Sequence, residues 1–279
     1  MKVGYAVLYD NGELVISQSH TNLSKKIYKN YGEFADTSVP WSNESQNINK
    51  VKILNQVKSN CMKEWFADCT NLTSLIDFTN LDVSDCEDFS YMFCNCIALQ
   101  NISALESWDV SNGTDFSRMF DNCSSLQDIS ALESWNVSNG TDFSYMFYNC
   151  SSLQNISALE NWNVSNGTDF SCMFYYCTSL QNIKALESWN VSDCADFSYM
   201  FYSCTSLQNI GALEDWNVSN GRKFSSMFSS CTSLQDILLP NSLTCLNENL
   251  FKDCNPNLKI QWKQHLYIYA DLLEYEQIF

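Results

Sequence analysis

Residues 135–161 read WNVSNGTDFSYMFYNCSSLQNISALEN, and nearly the same 27 letters begin again at Trp162. Three marks of this stretch recur every 27 residues along the chain. They are tryptophans at 108, 135, 162, 189 and 216, Met-Phe pairs starting at 92, 119, 146, 173, 200 and 227, and cysteines at 69, 96, 123, 150, 177, 204 and 231. A fixed period of this length is typical of a solenoid or a propeller.

A period of 27 residues is too short for a four-stranded propeller blade or a hairpin of two helices, and it fits one coil of a leucine-rich-repeat-type solenoid. Within a coil, residues 126–131 follow an L-x-x-L-x-L pattern, which predicts a short strand. Residues 141–147 begin with letters suited to an N-cap and predict a short helical or 3₁₀ turn, and residues 135–138 predict a second extended piece. The predicted fold class is therefore an α/β repeat, a solenoid with short parallel strands and short helical or 3₁₀ turns.

The letters that do not change predict the core, because each coil must present the same apolar surface to its neighbours. In one coil they are Trp135, Val137, Gly140, Phe143, Met146, Phe147, Cys150, Leu153 and Ile156.

Two stretches carry a resemblance to a known family. Residues 108–126, WDVSNGTDFSRMFDNCSSL, and 135–153, WNVSNGTDFSYMFYNCSSL, resemble the Mycoplasma-type surface repeat of the BspA-like leucine-rich repeat proteins, and the resemblance extends over roughly residues 65–234. Residues 239–258 resemble the sister repeat of the same group, and AVLYDNGELVIS at 6–17 is similar to the strand pair that often precedes the array. The resemblance implies a right-handed solenoid used for adhesion or protein recognition, in proteins that are often exported.

The ends must cover the open core of a solenoid. We expect a β-rich N-terminal cap in residues 1–60, with a hairpin turn at Asp10-Asn11-Gly12 and a loop anchored by Trp41. The array takes residues 61–234, and residues 235–279 hold a last repeat and a capping tail. Residues 258–262 read as a final strand. The tail 265–279 has a partly helical apolar period, which indicates closure of the stack or a helix for dimerisation or partner binding.

The N-terminus carries no continuous apolar segment of the kind that directs export, so the chain is expected in the cytoplasm, with the cell surface as the alternative. No stretch approaches the 18 or more apolar residues of a membrane-spanning helix. In a reducing compartment the fourteen cysteines are predicted to be free thiols. The cysteine ladder lacks paired C-x-x-C spacing, which favours buried structural thiols, with disulfides between coils as the alternative.

Asn-Gly recurs at 112–113, 139–140, 166–167 and 220–221, but cysteine stands at the equivalent positions Cys86 and Cys194. Since cysteine tolerates a positive φ poorly, a small inward-facing position explains both letters better than a turn.

No catalytic or cofactor motif is recognisable. The only histidines, His20 and His265, lie at opposite ends, and no P-loop, dinucleotide-binding glycine motif or H-E-x-x-H occurs. Carboxylates recur at equivalent coil positions, as on a solvated face. We therefore predict a non-enzyme without a metal or cofactor.

The net charge is −17, which disfavours direct contact with nucleic acid or an anionic membrane and favours a basic protein partner. Two acidic series follow the period. They are Glu106, Glu133, Glu160, Glu187 and Glu214, and Asp115, Asp142, Asp169 and Asp196, after which Lys223 replaces the acid. They are either a tolerated solvated ladder or an imitation of a nucleic-acid backbone, since two acids per coil give one charge per roughly 2.4 Å against about 1.7 Å in duplex DNA.

The positions that change from coil to coil flank the Met-Phe pair. They include the tyrosines Tyr145, Tyr148, Tyr175, Tyr176, Tyr199 and Tyr202, which are predicted to form an aromatic strip. Tyrosine is a favoured interface anchor, and the alternative is that the rings pack over neighbouring coils.

These patterns predict a non-catalytic protein-binding solenoid of unknown oligomeric state, with a basic protein partner. The first alternative is a phage- or mobile-element-encoded inhibitor of a host defence nuclease, similar to an anti-CRISPR protein, that mimics nucleic acid. The second is a bacterial surface adhesin.

Overall fold

A computed structural model describes residues 2–19, 23–35, 38–244 and 249–270. One continuous apolar core runs from Val3 to Tyr269 through stacked coils of 27 residues. Each repeated letter that the sequence assigns to the core is buried, including Trp135, Phe143 and Cys150. The prediction that the unchanging letters form the interior is confirmed.

The N-terminal end is a five-stranded sheet in the order β3-β1-β2-β4-β6. Its strands are β1 Lys2–Tyr9, β2 Glu13–Ser17, β3 Ile27–Ala35, β4 Lys50–Leu54 and, after the short strand β5 Val57–Lys58, β6 Ser74–Ile76. The first two form the predicted antiparallel hairpin, and Gly12 takes a φ of +80° in its turn. Trp41 is fully buried, and its indole N–H donates to the backbone oxygen of Trp65, which confirms its predicted anchoring role.

The cap and the array share this sheet. Strand β2 pairs in parallel with β4, which pairs in parallel with β6, and β5 pairs in parallel with β7 at Leu81–Asp82. The ladder therefore passes from the predicted cap into the first coil without a break. The boundary after residue 60 stays a prediction.

Inside the array the strands shorten to single bridges. Between residues 83 and 235, all of which the structure describes, no strand forms, and consecutive coils are joined by isolated parallel bridges such as Asp115 to Asp142. The predicted strand at 126–131 is wrong, because only Asp128 makes a bridge and the chain then turns into a 3₁₀ helix at Ser130–Ser134. The 3₁₀ helices are Ser42–Asn47, Phe78–Asn80, Ser103–Leu105, Ser130–Ser134, Ser157–Leu159, Lys184–Leu186 and Gly211–Leu213.

The predicted helical turn at 141–147 is instead part of a run of tight turns. The N–H groups of Met146 and Cys150 donate to the carbonyls of Phe143 and Phe147, three residues back. In each of these two turns the third residue is left-handed, as in type II turns, so the run cannot continue as a helix. The alternate N–H groups of Phe143 and Phe147 donate to carbonyls of the next coil at 3.0 and 2.9 Å, so this segment also joins the coils.

Identical side chains stack from coil to coil along the core. Phe116 and Phe143 have ring centroids 5.5 Å apart, and Trp108 and Trp135 stack at 6.4 Å. The five tryptophans of the 27-residue series each donate the indole N–H to a carbonyl thirty residues earlier, as Trp162 does to Leu132 at 2.9 Å. This bond satisfies the one polar atom of a buried tryptophan.

The glycine of Asn-Gly is a packing position, as predicted. Gly140 and Gly167 lack a positive φ, and a Cβ on Gly167 would lie 2.5 Å from Cζ of Phe170. Cys194, at the equivalent place, is fully buried, and the Phe170 and Phe197 centroids beside it are 6.3 Å apart. The Phe143 and Phe170 centroids are only 5.4 Å apart, so the rings separate where the larger residue stands.

A three-stranded sheet in the order β10-β9-β8 closes the C-terminal end. Its strands are β8 Asp236–Leu238, β9 Lys259–Trp262 and β10 His265–Ile268. The predicted last strand is confirmed by β9. The start of the tail is a strand rather than a helix because it pairs antiparallel with β9, and the predicted apolar residues Leu273 and Tyr275 lie outside the described residues.

Candidate functional site

Three positions in each coil vary while their surroundings repeat, and we call them together the variable face. The first row precedes the Met-Phe pair, and the second and third rows follow it. From coil to coil the rows are Tyr91, Arg118, Tyr145, Cys172, Tyr199 and Ser226; Cys94, Asp121, Tyr148, Tyr175, Tyr202 and Ser229; and Asn95, Asn122, Asn149, Tyr176, Ser203 and Ser230.

The backbone of the first and third rows is left-handed at every coil. The φ values of these twelve non-glycine residues lie between 53° and 61°. Asparagine adopts this region readily, but a bulky side chain is strained there, at about 1 kcal/mol or more. The third row holds Asn95, Asn122 and Asn149, whereas Tyr176 continues it with the less suitable residue.

The six predicted tyrosines come together in one strip. Tyr148 and Tyr175 stack with centroids 4.7 Å apart, and Tyr175 and Tyr202 stack at 4.6 Å with an interplanar angle of 8°. Tyr145 joins at 5.5 Å from Tyr148, and Tyr176 lies 4.8 Å from Tyr175. Tyr199 completes the strip at 5.9 Å from Tyr202.

The strip is packed within itself and still open to solvent. Tyr176 and Tyr199 are 40% and 39% exposed, and the other four rings are half-buried. A hydrogen bond to Cys172, with burial, raises the pKa of Tyr145 to about 12, and burial raises the pKa of Tyr175 to about 12. Both hydroxyls therefore remain neutral donors. The rings fit both alternatives drawn from the sequence, since they pack over neighbouring coils and also present surface.

Arg118 is part of the strip, although the sequence reasoning did not single it out. Its guanidinium lies 3.8 Å from the ring centroid of Tyr145 and 5.5 Å from that of Tyr91, and it binds Asp121 at 2.7 Å. Burial raises the pKa of Asp121, and the guanidinium opposes this. Arg118 is the only basic residue between Lys63 and Lys184, a signal that could have marked it.

Beside the strip runs a ladder of side-chain amides. Asn149 donates to Asn122 at 2.7 Å, Asn122 donates to Asn95 at 2.8 Å, and Asn95 donates to Asp68 at 2.7 Å. In this ladder the side-chain N–H of each left-handed asparagine donates to the side-chain oxygen at the same position of the preceding coil. It ends where Tyr176 replaces asparagine.

The Asp series lies on the other flank of the first row, three residues before it. Asp115, Asp142, Asp169 and Asp196 are half-buried, and the Oδ1 of each accepts the N–H of the serine two residues later. Burial raises the pKa of Asp142, and Asp169 and Asp115 add to this. Burial acts the same way on Asp196, but Lys223 at 2.8 Å and the Ser198 N–H outweigh it and lower the pKa.

The Glu series belongs to a different segment of the coil. Glu106, Glu133, Glu160, Glu187 and Glu214 are all exposed and lie in or directly after the 3₁₀ helices. Along one coil, the buried residues Trp162, Val164 and Gly167 separate Glu160 from Asp169. Only the Glu series is a fully solvated row of charge.

The cysteine ladder is structural, as predicted. Cys123, Cys150 and Cys177 are fully buried, and each thiol donates to a phenylalanine carbonyl thirty residues earlier at 3.1 to 3.2 Å. The described cysteines of the ladder are free thiols. Among the described residues, no group of three or more His, Cys, Asp or Glu side chains is arranged to hold a metal ion. His265 contacts the backbone oxygen of Lys263 and the ring of Tyr267, and His20 lies outside the described residues.

The described part of the chain contains no helix with the length and apolar character needed to cross a membrane.

Comparison with known proteins identifies the repeat. The family model described as Mycoplasma protein of unknown function, DUF285, matches residues 60–182 and 154–249. The predicted resemblance to the Mycoplasma-type repeat is thereby confirmed. No curated protein matches the chain.

Three solved structures resemble this chain at low sequence identity. A leucine-rich repeat protein from Bacteroides ovatus is 14% identical with a TM-score of 0.36, and the match covers 96% of this chain and 79% of that one. A leucine-rich cell surface protein from Faecalibacterium prausnitzii is 15% identical with a TM-score of 0.28, covering 94% and 95%. The Drosophila Toll–Spatzle complex matches at 13% identity and a TM-score of 0.32, covering 88% of this chain and 30% of that one.

Proposed function

Since the chain belongs to the DUF285 family of Mycoplasma proteins of unknown function, whose model matches most of its length, we propose that it is a non-catalytic solenoid that recognises a protein partner. The repeated core builds a leucine-rich-repeat solenoid, and the variable face carries the recognition. On this proposal the tyrosine strip and Arg118 are the contact residues, and the solenoid is right-handed, as its resemblance to BspA-like proteins implies.

The observation that carries the proposal is the strained backbone under Tyr176. This residue is left-handed and 40% exposed, at a position where the preceding coils hold asparagine. Asparagine would relieve the strain and extend the amide ladder, so stability alone does not favour tyrosine here. Strain of this kind concentrates at binding sites, and tyrosine is a common interface anchor.

Charge supports a basic partner. Residues 1–63 carry eight lysines and five acidic residues, whereas residues 64–279 carry seven basic and 27 acidic residues, a net of −20. A negative electrostatic field accelerates the association with positively charged proteins and disfavours the binding of negatively charged ones.

Nucleic-acid mimicry is the second candidate, supported by the exposed Glu series. The two acidic series imitate a nucleic-acid backbone less well than two solvated rows of charge would, because the Asp series is half-buried and accepts backbone hydrogen bonds. Inhibition of a nuclease through this surface remains within the proposal as a special case of a basic partner. Action in the cytoplasm and action at the cell surface as an adhesin are further alternatives.

The test compares two matched variants in quantitative capture from cell extract. One carries Tyr148→Ser, Tyr176→Asn and Tyr202→Ser, which are letters that other coils use at the same positions. The control carries Glu133→Gln, Glu160→Gln and Glu187→Gln on the 3₁₀ side. The proposal predicts a protein captured by the wild type and by the Glu control but lost from the Tyr variant. Equal capture by all three contradicts it.

A salt titration of the captured partner separates the two candidates. Mimicry predicts a basic nucleic-acid-handling protein whose binding collapses with salt and with the Glu substitutions. Recognition by the strip predicts binding that depends weakly on salt and strongly on the tyrosines.

A further inference from the structure

The rings of the tyrosine strip are set at two inclinations. In the second row, Tyr148 and Tyr202 stack against Tyr175 at 4.7 and 4.6 Å, each with an interplanar angle of 8°, and all three rings are half-buried. Tyr199 of the first row and Tyr176 of the third row are turned by 56° and 62° from the Tyr175 ring, and they are 39% and 40% exposed. Along each coil the second row lies between the other two. The strip therefore presents stacked rings as a floor, flanked by more exposed rings.

The spacing of the strip selects one backbone conformation for a bound segment. Tyrosine stands in every second coil of the first row, at Tyr91, Tyr145 and Tyr199, and two coils span about 9.5 Å. A polyproline II helix has three residues per turn, so each of its faces repeats every ~9.3 Å and stays in step with this row. An α-helix repeats every ~5.4 Å and a strand every ~6.7 Å, and both depart from the spacing by more than about 1 Å over two coils.

The polar groups of the strip complement those of a polyproline II segment. Within the described residues, no hydrogen bond engages the hydroxyls of Tyr175, Tyr176, Tyr199 and Tyr202. Burial raises the pKa of Tyr175 to about 12, so its hydroxyl stays a neutral donor. A polyproline II helix has no internal hydrogen bonds, so its carbonyl groups need donors, and its prolines carry no N–H. Such a segment therefore needs the donors that these tyrosines have free.

We propose that the tyrosine strip binds a proline-rich segment of the partner protein in the polyproline II conformation, with basic residues beside the prolines. This inference rests on the proposed function and names the class of segment that the partner presents. Shallow arrays of aromatic rings bind such segments because the polyproline II helix is already formed and loses little entropy. The basic residues follow from charge, since Asp142 and Asp196 lie three residues before first-row tyrosines and residues 64–279 carry a net charge of −20.

The experiment measures the fluorescence anisotropy of two labelled peptides with the full chain, near physiological ionic strength. One peptide has ten prolines between two pairs of lysines, and the other has five Gly-Ser repeats between the same lysines. The two have equal length and charge, so the ratio of their dissociation constants reports the polyproline II conformation. We expect the proline peptide to bind about 10-fold more tightly. Equal affinities for the wild-type protein overturn the inference.

Tyr199→Ser and Tyr202→Ser are the decisive variants, and they copy Ser226 and Ser229 of the following coil. Each removes one ring of the strip and is expected to bring the ratio to about one, so the test stands if one of them fails to fold. Tyr28→Ser is the matched control, because Tyr28 is 55% exposed in the N-terminal sheet. It is expected to keep the wild-type ratio. A preference that survives in both strip variants, or one that is lost in the control, overturns the inference.

Glu160→Gln with Glu187→Gln separates charge from conformation, and it is expected to weaken both peptides by the same factor. A change in the ratio instead assigns the preference to the Glu series and overturns the inference. If the ratio is one in the wild-type protein but the triple tyrosine variant still loses its captured partner, the polyproline II inference fails and the proposed function stands.

Discussion

The side-chain amide of Asn149 donates a hydrogen bond to Oδ1 of Asn122 at 2.7 Å. Both residues are left-handed, and the next residue of their row is Tyr176, where the amide ladder ends. The same backbone position thus serves the fold in one coil and offers an exposed ring in the next.

Tyr176→Asn is expected to leave the free energy of unfolding unchanged or to raise it by about 0.5 to 1 kcal/mol. Relief of left-handed strain and a new amide hydrogen bond each stabilise the folded state by about 1 kcal/mol. Loss of the ring contacts with Tyr175 and Tyr202 offsets half to all of this combined gain. Urea unfolding checks this. The reverse change, Asn149→Tyr, is the control and is expected to destabilise, and a loss of more than about 1 kcal/mol in Tyr176→Asn contradicts the account.

Asp142→Asn and Asp196→Asn are expected to change stability in opposite directions at neutral pH. The pKa of Asp142 is raised above 3.8 by burial, so the folded state binds the proton more tightly and the charge costs stability above that pKa. Its amide keeps the bond to the Ser144 N–H and is expected to stabilise by less than about 1 kcal/mol, because solvent screens the half-buried group.

The pKa of Asp196 is lowered, so its stabilisation is full above pH 3.8 and is lost as the pH falls through the lower native value. Asp196→Asn therefore destabilises at neutral pH and also leaves Lys223 without its partner. Thermal unfolding of both variants at neutral and acidic pH checks the signs. If both variants change the stability in the same direction at neutral pH, the opposite pKa shifts assigned to Asp142 and Asp196 are wrong.

Gly167→Ala and Gly167→Cys are expected to be tolerated better than Gly167→Val. A Cβ at this position lies 2.5 Å from Phe170 and 3.0 Å from the Val164 oxygen, and the rings of Phe170 and Phe197 are further apart where the chain holds Cys194. Valine places two γ-methyl groups in a buried site where cysteine places one sulfur, which costs about 1 to 3 kcal/mol. Urea unfolding of the three variants gives the order, and a valine variant as stable as the cysteine variant argues against a packing role.

N-ethylmaleimide is expected to modify Cys61 and Cys94 in the native protein long before the ladder cysteines. The first two are half-buried, whereas Cys123 and Cys150 are fully buried. Burial raises the pKa of Cys94 as well as those of Cys123 and Cys150, so the access of the reagent to the sulfur decides the difference in rate. Peptide mapping by mass spectrometry after native labelling checks this, with labelling in urea as the control. Equal rates for Cys94 and Cys150 contradict a buried ladder.

The solenoid and its core could be predicted from the 27-residue period, because a stacked interior requires the same apolar letter at the same place in each coil. The secondary structure within each coil was harder to predict. In residues 126–131 the spacing of Leu126, Ile129 and Ala131 fits both a strand and a 3₁₀ turn that buries the same side chains. The period alone does not distinguish them.

The tyrosine strip could be predicted because its residues vary from coil to coil, but the left-handed conformation of its backbone could not. Tyrosine and arginine disfavour the left-handed region, so nothing in the letters of Tyr145 or Arg118 points to φ values of 58° and 56°. The position is set by turns that the whole coil imposes. The sequence pattern does not indicate a role for Arg118, because a single basic residue forms no repeat and its contacts depend on rings from neighbouring coils.

The central claim, that the variable face recognises the partner, is tested most directly by the affinity of the captured partner for Tyr176→Asn, measured by titration calorimetry beside the wild type. The account predicts binding at least about 10-fold weaker, a loss of 1.4 kcal/mol or more, in a variant that is at least as stable as the wild type. Wild-type affinity in that variant contradicts the claim.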